Sequence, residues 1–298
     1  MKRLLPVFLA FAVFACATTP TPMPAPAPAP AAAVAATPAP VGASTAAPCD
    51  PGLSLLNATL WVQTSAEYRA AATQVFATAS RGLDAALGNL FAQGALEETQ
   101  NDPTQPPAVI LDLDETVLDN SAFEARAIRA HKTYDSKLWK QWTAEGAALA
   151  IPGAREFLDY AMKRGVTPFY ITNRDADEEP GTRRNLEQLG FPLDPKIDTL
   201  LMQGNLGFNT SDKTHRRKHV ASTHRILLVI GDDLNDFAPA SGKTLEERNK
   251  IVDSVRNWWG EVFFIVPNPM YGSWERAVAG SGSPCEQMQR KLDTLRDE

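Results

Sequence analysis

The sequence predicts an α/β protein built on a doubly wound parallel sheet, with a helical extension on its N-terminal side. Three observations carry that expectation. From residue 108 onward, short apolar runs alternate with helix-patterned stretches. The runs are continuously apolar, as in strands buried on both faces. Polar residues gather at the carboxyl end of three of the runs, where sheets of this kind bind ligands.

Taken in order, Lys2 and Arg3 precede the apolar stretch LLPVFLAFAVFA. It is short of the roughly 20 apolar residues that span a bilayer, so it reads as a signal peptide over residues 1–16. The run VFAC, ending in Cys16, resembles the lipobox of bacterial lipoproteins, with Phe14 where a smaller residue is usual. On that reading Cys16 is the lipidated N-terminus; the alternative is ordinary cleavage after Ala15-Cys16-Ala17, giving a soluble periplasmic or secreted protein. Ala17 stands where an aspartate would retain a Gram-negative lipoprotein at the inner membrane, so the expected location is the outer membrane. Residues 17–48 are almost entirely Ala, Pro, Thr and Val. They cannot build a core, and as a polyproline tether they would reach on the order of 100 Å. The folded domain is expected over 49–298. Without Cys16, Cys49 and Cys285 form an even pair in an exported chain; a disulfide is favoured over two free thiols.

From Leu53 to about Glu98, Leu56, Leu60, Tyr68, Ala72, Phe76, Leu83, Leu87 and Leu90 recur at mostly helical spacing, with Gly82, Gly88 and Gly94 as permitted breaks. AVILDLD, TPFYIT, RILLVIGD and VFFIVPN read as strands. AREFLDYAMKRG, EPGTRRNLEQLG and KTLEERNKIVDSVRNWWG read as helices, with Gly165, Gly190 and Gly260 at their ends. The net charge of −6 argues against a nucleic-acid polymer as partner, and the basic run KTHRRKH from Lys213 reads as a solvated helix face.

The strand ends carry the chemistry. Asp112 and Asp114 lie two residues apart, on one side of a strand. Thr172, Asn173 and Arg174 end the next run, and Asp232, Asp233 and Asp236 follow the third. Converging carboxylates raise one another's pKa unless a cation lies among them. A hard divalent ion with oxygen ligands answers this, and Mg²⁺ is favoured because it keeps places for water and phosphate.

DLDET at Asp112, YITNR with Thr172, SDKTHRR with Lys213 and GDDLNDF with Asp232 resemble, in order, the four motifs of the haloacid dehalogenase (HAD) superfamily of phosphohydrolases. VLDNSAF, YDSKLWKQW, IPGAREFLDYA and PNPMYGSWE bring the resemblance to class C acid phosphatases, also called the lipoprotein e (P4) family. The likeness spans residues 53–276 and implies a HAD-like, Rossmann-like core with a small helical cap at about residues 119–151. It implies phosphomonoester hydrolysis through an aspartyl-phosphate. Asp112 would be the nucleophile and Asp114 the acid, then the base. Mg²⁺ would be held by Asp112, the backbone carbonyl of Asp114 and Asp232, with Asp236 orienting the metal shell. Thr172 and the Asn173 amide would bind phosphoryl oxygens, and Lys213, with Lys218 as rival, would neutralise them. Tyr134 and Tyr271 match the positions whose rings stack on the substrate, which for this family points to 5'-nucleotides. Asp233 is expected not to bind metal, Glu115 and Asp119 to be structural, and Trp139 and Trp142 to pack the cap. Two other readings are kept. One is a phosphotransferase using the same site; the other is a surface-binding lipoprotein without turnover.

Overall fold

The computed structural model describes residues 49–98 and 102–297. Cys16, the leader and the whole tether over 17–48 lie outside them. The chain opens with helices α1 (Leu56–Thr64) and α2 (Ala66–Gly88) and then enters strand β1 (Pro107–Leu111). A short strand β2 (Leu118–Asp119), helices α3 (Ser121–Arg129) and α4 (Ser136–Glu145), and strand β3 (Leu149–Ala150) follow. The alternation resumes with α5 (Ala154–Lys163), β4 (Thr167–Asp175), α6 (Glu179–Leu189), β5 (Leu200–Gln203), α7 (Thr214–Ala221) and β6 (Arg225–Gly231). Helices α8 (Leu234–Phe237) and α9 (Leu245–Ser254), strand β7 (Phe263–Ile265), and helices α10 (Ser273–Ala279) and α11 (Pro284–Thr294) complete it.

The five-stranded sheet has the order β5-β4-β1-β6-β7, and every pairing in it is parallel. The chain moves outward from β1 to β4 and β5, then crosses to the other side of β1 for β6 and β7. The order therefore reverses between β1 and β6, and the carboxyl ends of those two strands flank the crevice where such sheets bind ligands. β2 and β3 pair antiparallel beside the helices α3 and α4. Both faces of the sheet are covered. Val109, Leu111, Tyr170 and Leu228 pack with Phe76, Leu83 and Phe157 on one side. Ile110, Ile171, Val229 and Phe263 pack with Val220 and Phe237 on the other.

Several expectations need correction. The first helical stretch breaks at Ser65, whose side chain caps α2 by accepting the Tyr68 amide at 3.0 Å, and not at Gly82. Gly82 lies inside α2 because a Cβ there would come within 2.8 Å of the Glu261 carbonyl oxygen and the Phe264 ring. The helix is thus seated directly on the turn before β7. Leu56, Leu60 and Leu90 belong to the periodic set, yet all three are exposed. β5 was not expected: four residues give too short a run to stand out from the loops beside it. Only ten residues of the stretch from Lys243 to Gly260 form helix α9.

Cys49 and Cys285 are disulfide-bonded across 236 residues of sequence, joining the first described residue to α11. Closing so long a loop restricts the unfolded chain far more than the folded one. Reduction, or Cys285→Ser, is expected to lower unfolding stability by about 2–5 kcal/mol. Urea titrations with and without reductant would read this as a fall in midpoint; an unchanged midpoint would refute it.

Candidate active site

At the carboxyl end of β1, the Asp112 amide donates to the Ile230 carbonyl at 3.0 Å, which fixes the chain beside β6. The Asp112 side chain is buried, and its Oδ1 accepts from Lys213 Nζ. The same ammonium donates to Asp236 Oδ1 at 2.6 Å. The other oxygen of Asp236, Oδ2, accepts the amides of Asp232 at 3.1 Å and Asp233 at 2.9 Å, wrapping the loop after β6 around one carboxylate. Gly231 makes that possible: a Cβ on it would lie 2.3 Å from Asp236 Oδ2. Asp232 accepts from Thr116 Oγ1 at 3.2 Å and Asn268 Nδ2 at 2.8 Å.

The electrostatics follow from burial. Burial pushes Asp112 up to about 7 against the pull of Lys213, with Asp236 and Asp114 adding to the rise. Asp232 is pushed well above the usual carboxylate range, by burial first and then by Asp236 and Asp112. Burial pulls Lys213 down, but Asp112 and Asp236 outweigh it and hold the ammonium charged. Lys213 is thus the lysine of the site; Lys218 is exposed.

Asp114 stands apart from this group. Arg174 grips its carboxylate through Nη2 at 2.7 Å and Nε at 3.0 Å, and Asn120 Nδ2 donates to it at 2.9 Å. Arg174 is itself buried, donates to Thr182 Oγ1 at 3.1 Å and lies 5.5 Å from the Trp139 ring centroid. Trp142 donates its indole N–H to Asn120 Oδ1 at 2.8 Å. It is therefore a buried polar contact as well as the packing residue its spacing suggested.

Thr172 is fully buried at the end of β4, and its hydroxyl accepts the Arg174 amide at 3.1 Å. Its carbonyl accepts from Arg216, which also donates to Asn173 Oδ1 at 2.6 Å. Asn173 is exposed. Arg217 forms an ion pair with Glu97 at 2.6 Å and donates to the carbonyls of Asn235 and Asp236 at 3.0 and 2.8 Å. Both arginines are completely buried, so only His215, Lys218 and His219 of the basic run form the solvated face expected of it. Burial lowers Arg216 to about 10 despite the pull of Asp112 and Asp236.

Tyr134 is 64% exposed and meets Phe123 and Trp139 edge-on or tilted, with ring centroids 6.5 and 6.3 Å apart. Tyr271 is half-buried and its hydroxyl donates to Glu115. Glu115 is buried with φ 59°, a left-handed backbone costing about 1–3 kcal/mol in a residue with a side chain. The Asn120 amide donates to Glu115 Oε1 at 2.8 Å, and Asn120 Nδ2 to Oε2 at 3.2 Å; together with Tyr271 they hold the turn. Asp119 accepts the Ser121 amide at 2.8 Å and starts α3. Asp233 accepts from the Asn235 amide, and from the Ser273 amide and hydroxyl.

Asp112, Asp232 and Asp236 each offer an oxygen, all within 4.8 Å of one another. Two buried carboxylates and the half-buried Asp232, with a single ammonium among them, suit a hard divalent cation. The Asp114 side chain is engaged elsewhere, which leaves its backbone carbonyl as its available ligand. A second acidic group, Asp175, Asp177 and Glu178, is already answered: Lys140 lies 3.4 and 2.7 Å from the two aspartates, and Glu178 accepts from Thr143 and the Asp175 amide.

Asn120, Arg174, Arg216 and Arg217 were not assigned roles from the sequence, although Arg174 stood among the polar strand-end residues. Their partners reach as far as 120 residues away, so no local pattern reports them.

The family model of the HAD superfamily, subfamily IIIB (acid phosphatase), matches residues 38–274. The class C acid phosphatase of Bacillus anthracis is 36% identical, with a TM-score of 0.73, over 84% of this chain and 100% of that one. Its structure with tungstate bound gives the same identity and coverage and a TM-score of 0.74. Acid phosphatase 1 of Solanum lycopersicum is 22% identical over 163 residues, and the match spans 57% of its length. With its parallel sheet, its motif order and this coverage, the chain belongs to the HAD-superfamily acid phosphatases of subfamily IIIB, a family of phosphomonoesterases.

Proposed function

We propose that this protein is a Mg²⁺-dependent phosphomonoesterase that acts through an aspartyl-phosphate on Asp112 and accepts 5'-nucleotides. The observation that carries the reading is the buried group Asp112–Lys213–Asp236 beside Asp232, at the point where the strand order reverses. Phosphoryl transfer asks little of a protein beyond positioning and charge stabilisation. An Asp112 carboxylate oxygen attacks phosphorus in line, and the bond to the leaving oxygen breaks. Lys213 neutralises charge on the transferring group. Thr172 and the Asn173 amide donate to its oxygens, and Arg216 fixes both by holding the Thr172 carbonyl and the Asn173 side chain. Asp114 protonates the leaving alkoxide and afterwards takes the proton of the attacking water. Asp112, the Asp114 carbonyl and Asp232 would hold Mg²⁺, which when bound offsets the charge between carboxylate and phosphate. Tungstate, an oxyanion held by the Bacillus anthracis relative, supports an oxyanion site in this one.

Tyr134 and Tyr271 would flank a nucleobase. Tyr134 is accessible, whereas Tyr271 is fixed by Glu115 and forms the rigid wall. The signal pattern and the Cys49–Cys285 bond both fit an exported protein anchored at the outer membrane through Cys16. Mass measurement of the mature N-terminus distinguishes the lipidated form from simple cleavage. Product analysis with an added alcohol acceptor distinguishes hydrolysis from transfer to that acceptor.

Asp112→Asn is expected to cut turnover of p-nitrophenyl phosphate by at least about 1,000-fold. Circular dichroism and melting temperature should be preserved; retained turnover would refute the nucleophile. Mg²⁺ at about 100 times its dissociation constant should stabilise the EDTA-treated protein by about 2.7 kcal/mol. A melting shift measured without substrate reads this, and Asp232→Asn should abolish it. Tyr134→Ala should raise KM for a nucleoside 5'-monophosphate about tenfold, the scale of one lost stacking contact, and change KM for p-nitrophenyl phosphate less. Equal changes would remove Tyr134 from the nucleoside site.

A further inference from the structure

The two oxygens of Asp114 are treated unequally. Oδ1 receives three donors: Arg174 Nη2 at 2.7 Å, Asn120 Nδ2 at 2.9 Å and Arg174 Nε at 3.0 Å. Among the described residues, Oδ2 receives only the longer 3.2 Å contact from Arg174 Nε. The orientation of Asn120 is not arbitrary. An indole N–H can only donate, so the 2.8 Å bond from Trp142 Nε1 identifies the Asn120 atom it meets as the oxygen. The amide nitrogen then faces Asp114. Arg174 Nη2 approaches the same Asn120 oxygen at 3.4 Å, in agreement with that assignment.

We propose that Arg174 and Asn120 are positioning residues that pin Oδ1 of Asp114 and leave Oδ2 to carry the proton, with Trp142 of α4 fixing Asn120 in register. The inference rests on the phosphomonoesterase reading above. In the first step an Asp112 oxygen bonds to phosphorus, the phosphorus–leaving-oxygen bond breaks, and the proton on Asp114 Oδ2 passes to the leaving oxygen. The alcohol departs and Asp114 is left as carboxylate. In the second, water attacks the phosphoryl group on Asp112 and gives its proton to the same Oδ2. The phosphorus–Asp112 bond breaks, and both side chains return to their starting state.

An oxygen saturated by three donors has no lone pair left for an O–H bond aimed at substrate. A carboxyl free to rotate would present the wrong oxygen part of the time. The cap helix α4 thereby touches the chemistry through two hydrogen bonds, without contacting substrate itself.

The test compares leaving groups through kcat/KM, which reports the steps up to alcohol release and excludes hydrolysis of the phosphoenzyme. A good leaving group such as p-nitrophenolate needs little protonation, whereas an alkoxide needs it fully. Arg174→Gln is expected to lower kcat/KM for ethyl phosphate about 100-fold, the scale of general acid catalysis, and that for p-nitrophenyl phosphate less than about fivefold. Arg174→Lys keeps the charge, loses the fork and should show the same selectivity. Trp142→Phe keeps the ring and removes only the N–H; it should shift the ratio in the same direction by several-fold, and it decides the matter if Arg174→Gln does not fold. Equal losses on both substrates would overturn the proposal, as would a wild-type ratio in Arg174→Lys or Trp142→Phe. Absence of turnover in the wild-type protein with Mg²⁺ would instead refute the phosphomonoesterase reading.

Discussion

One buried ammonium joins the parts of this site. Lys213 meets Asp112 from 101 residues away and Asp236 from 23 residues away, and all three side chains are at least nine-tenths buried. Two carboxylates brought this close would otherwise drive each other to protonate, and a neutral Asp112 would be a poor nucleophile for the proposed attack. Removing the lysine would leave the two buried carboxylates without their cation, at a cost of about 3–5 kcal/mol. The rest of α7 is built to hold the lysine in place. Arg216 reaches the backbone at the end of β4, and Arg217 reaches the carbonyls after β6 and the carboxylate of Glu97. A short helix thereby clamps the ends of β4 and β6 onto the end of β1.

The arrangement explains which parts could be read from the chain alone. The alternation of elements and the polar residues at three strand ends are local signals, and they carry the sheet, Asp112, Thr172 and Asp232. β5 fails that test at four residues, because an apolar run so short looks like part of a loop. The periodic leucines of the first helical stretch announce an amphipathic helix but not its partner. Leu56 and Leu60 keep the spacing and remain exposed, while Tyr68, Phe76 and Leu83 on α2 are buried. Arg216 and Arg217 misled for a different reason. A run of basic residues is normally solvated, and burying two of them requires acceptors that only the assembled strand ends provide. The same applies to Asn120, whose side-chain partners Asp114, Glu115, Trp142 and Arg174 lie up to 54 residues from it.

Glu115 shows how local strain is held by distant contacts. Its backbone is left-handed, and burial pushes its carboxyl well above the usual range, with Asp114 and Asp232 adding to the effect. The turn it forms carries the chain from β1 into α3, and Asn120 and Tyr271 hold it from either side. Tyr271 is then both a wall of the expected nucleoside site and a restraint on the loop after Asp112. Losing its hydroxyl would loosen that loop even if the ring still stacked. For that reason Tyr134, whose ring meets Phe123 and Trp139, is the cleaner probe of substrate stacking.

Asp112 and Asp114 lie two residues apart, and their neighbours separate their tasks. Lysine presents a compact point charge on a flexible stem, suited to remaining beside a carboxylate whose bonding changes during attack. Arginine presents a rigid planar fork that fixes one carboxylate in one orientation. Asp112 has the lysine and Asp114 has the fork. An exchange of the two cations would therefore fail in both places. On the proposed mechanism, a fork on Asp112 would occupy the lone pairs needed for attack, and a lysine on Asp114 would leave its proton-carrying oxygen undefined. The division of labour proposed for the two acids then follows from the shape of the cation opposite each one, since the acids themselves are chemically identical.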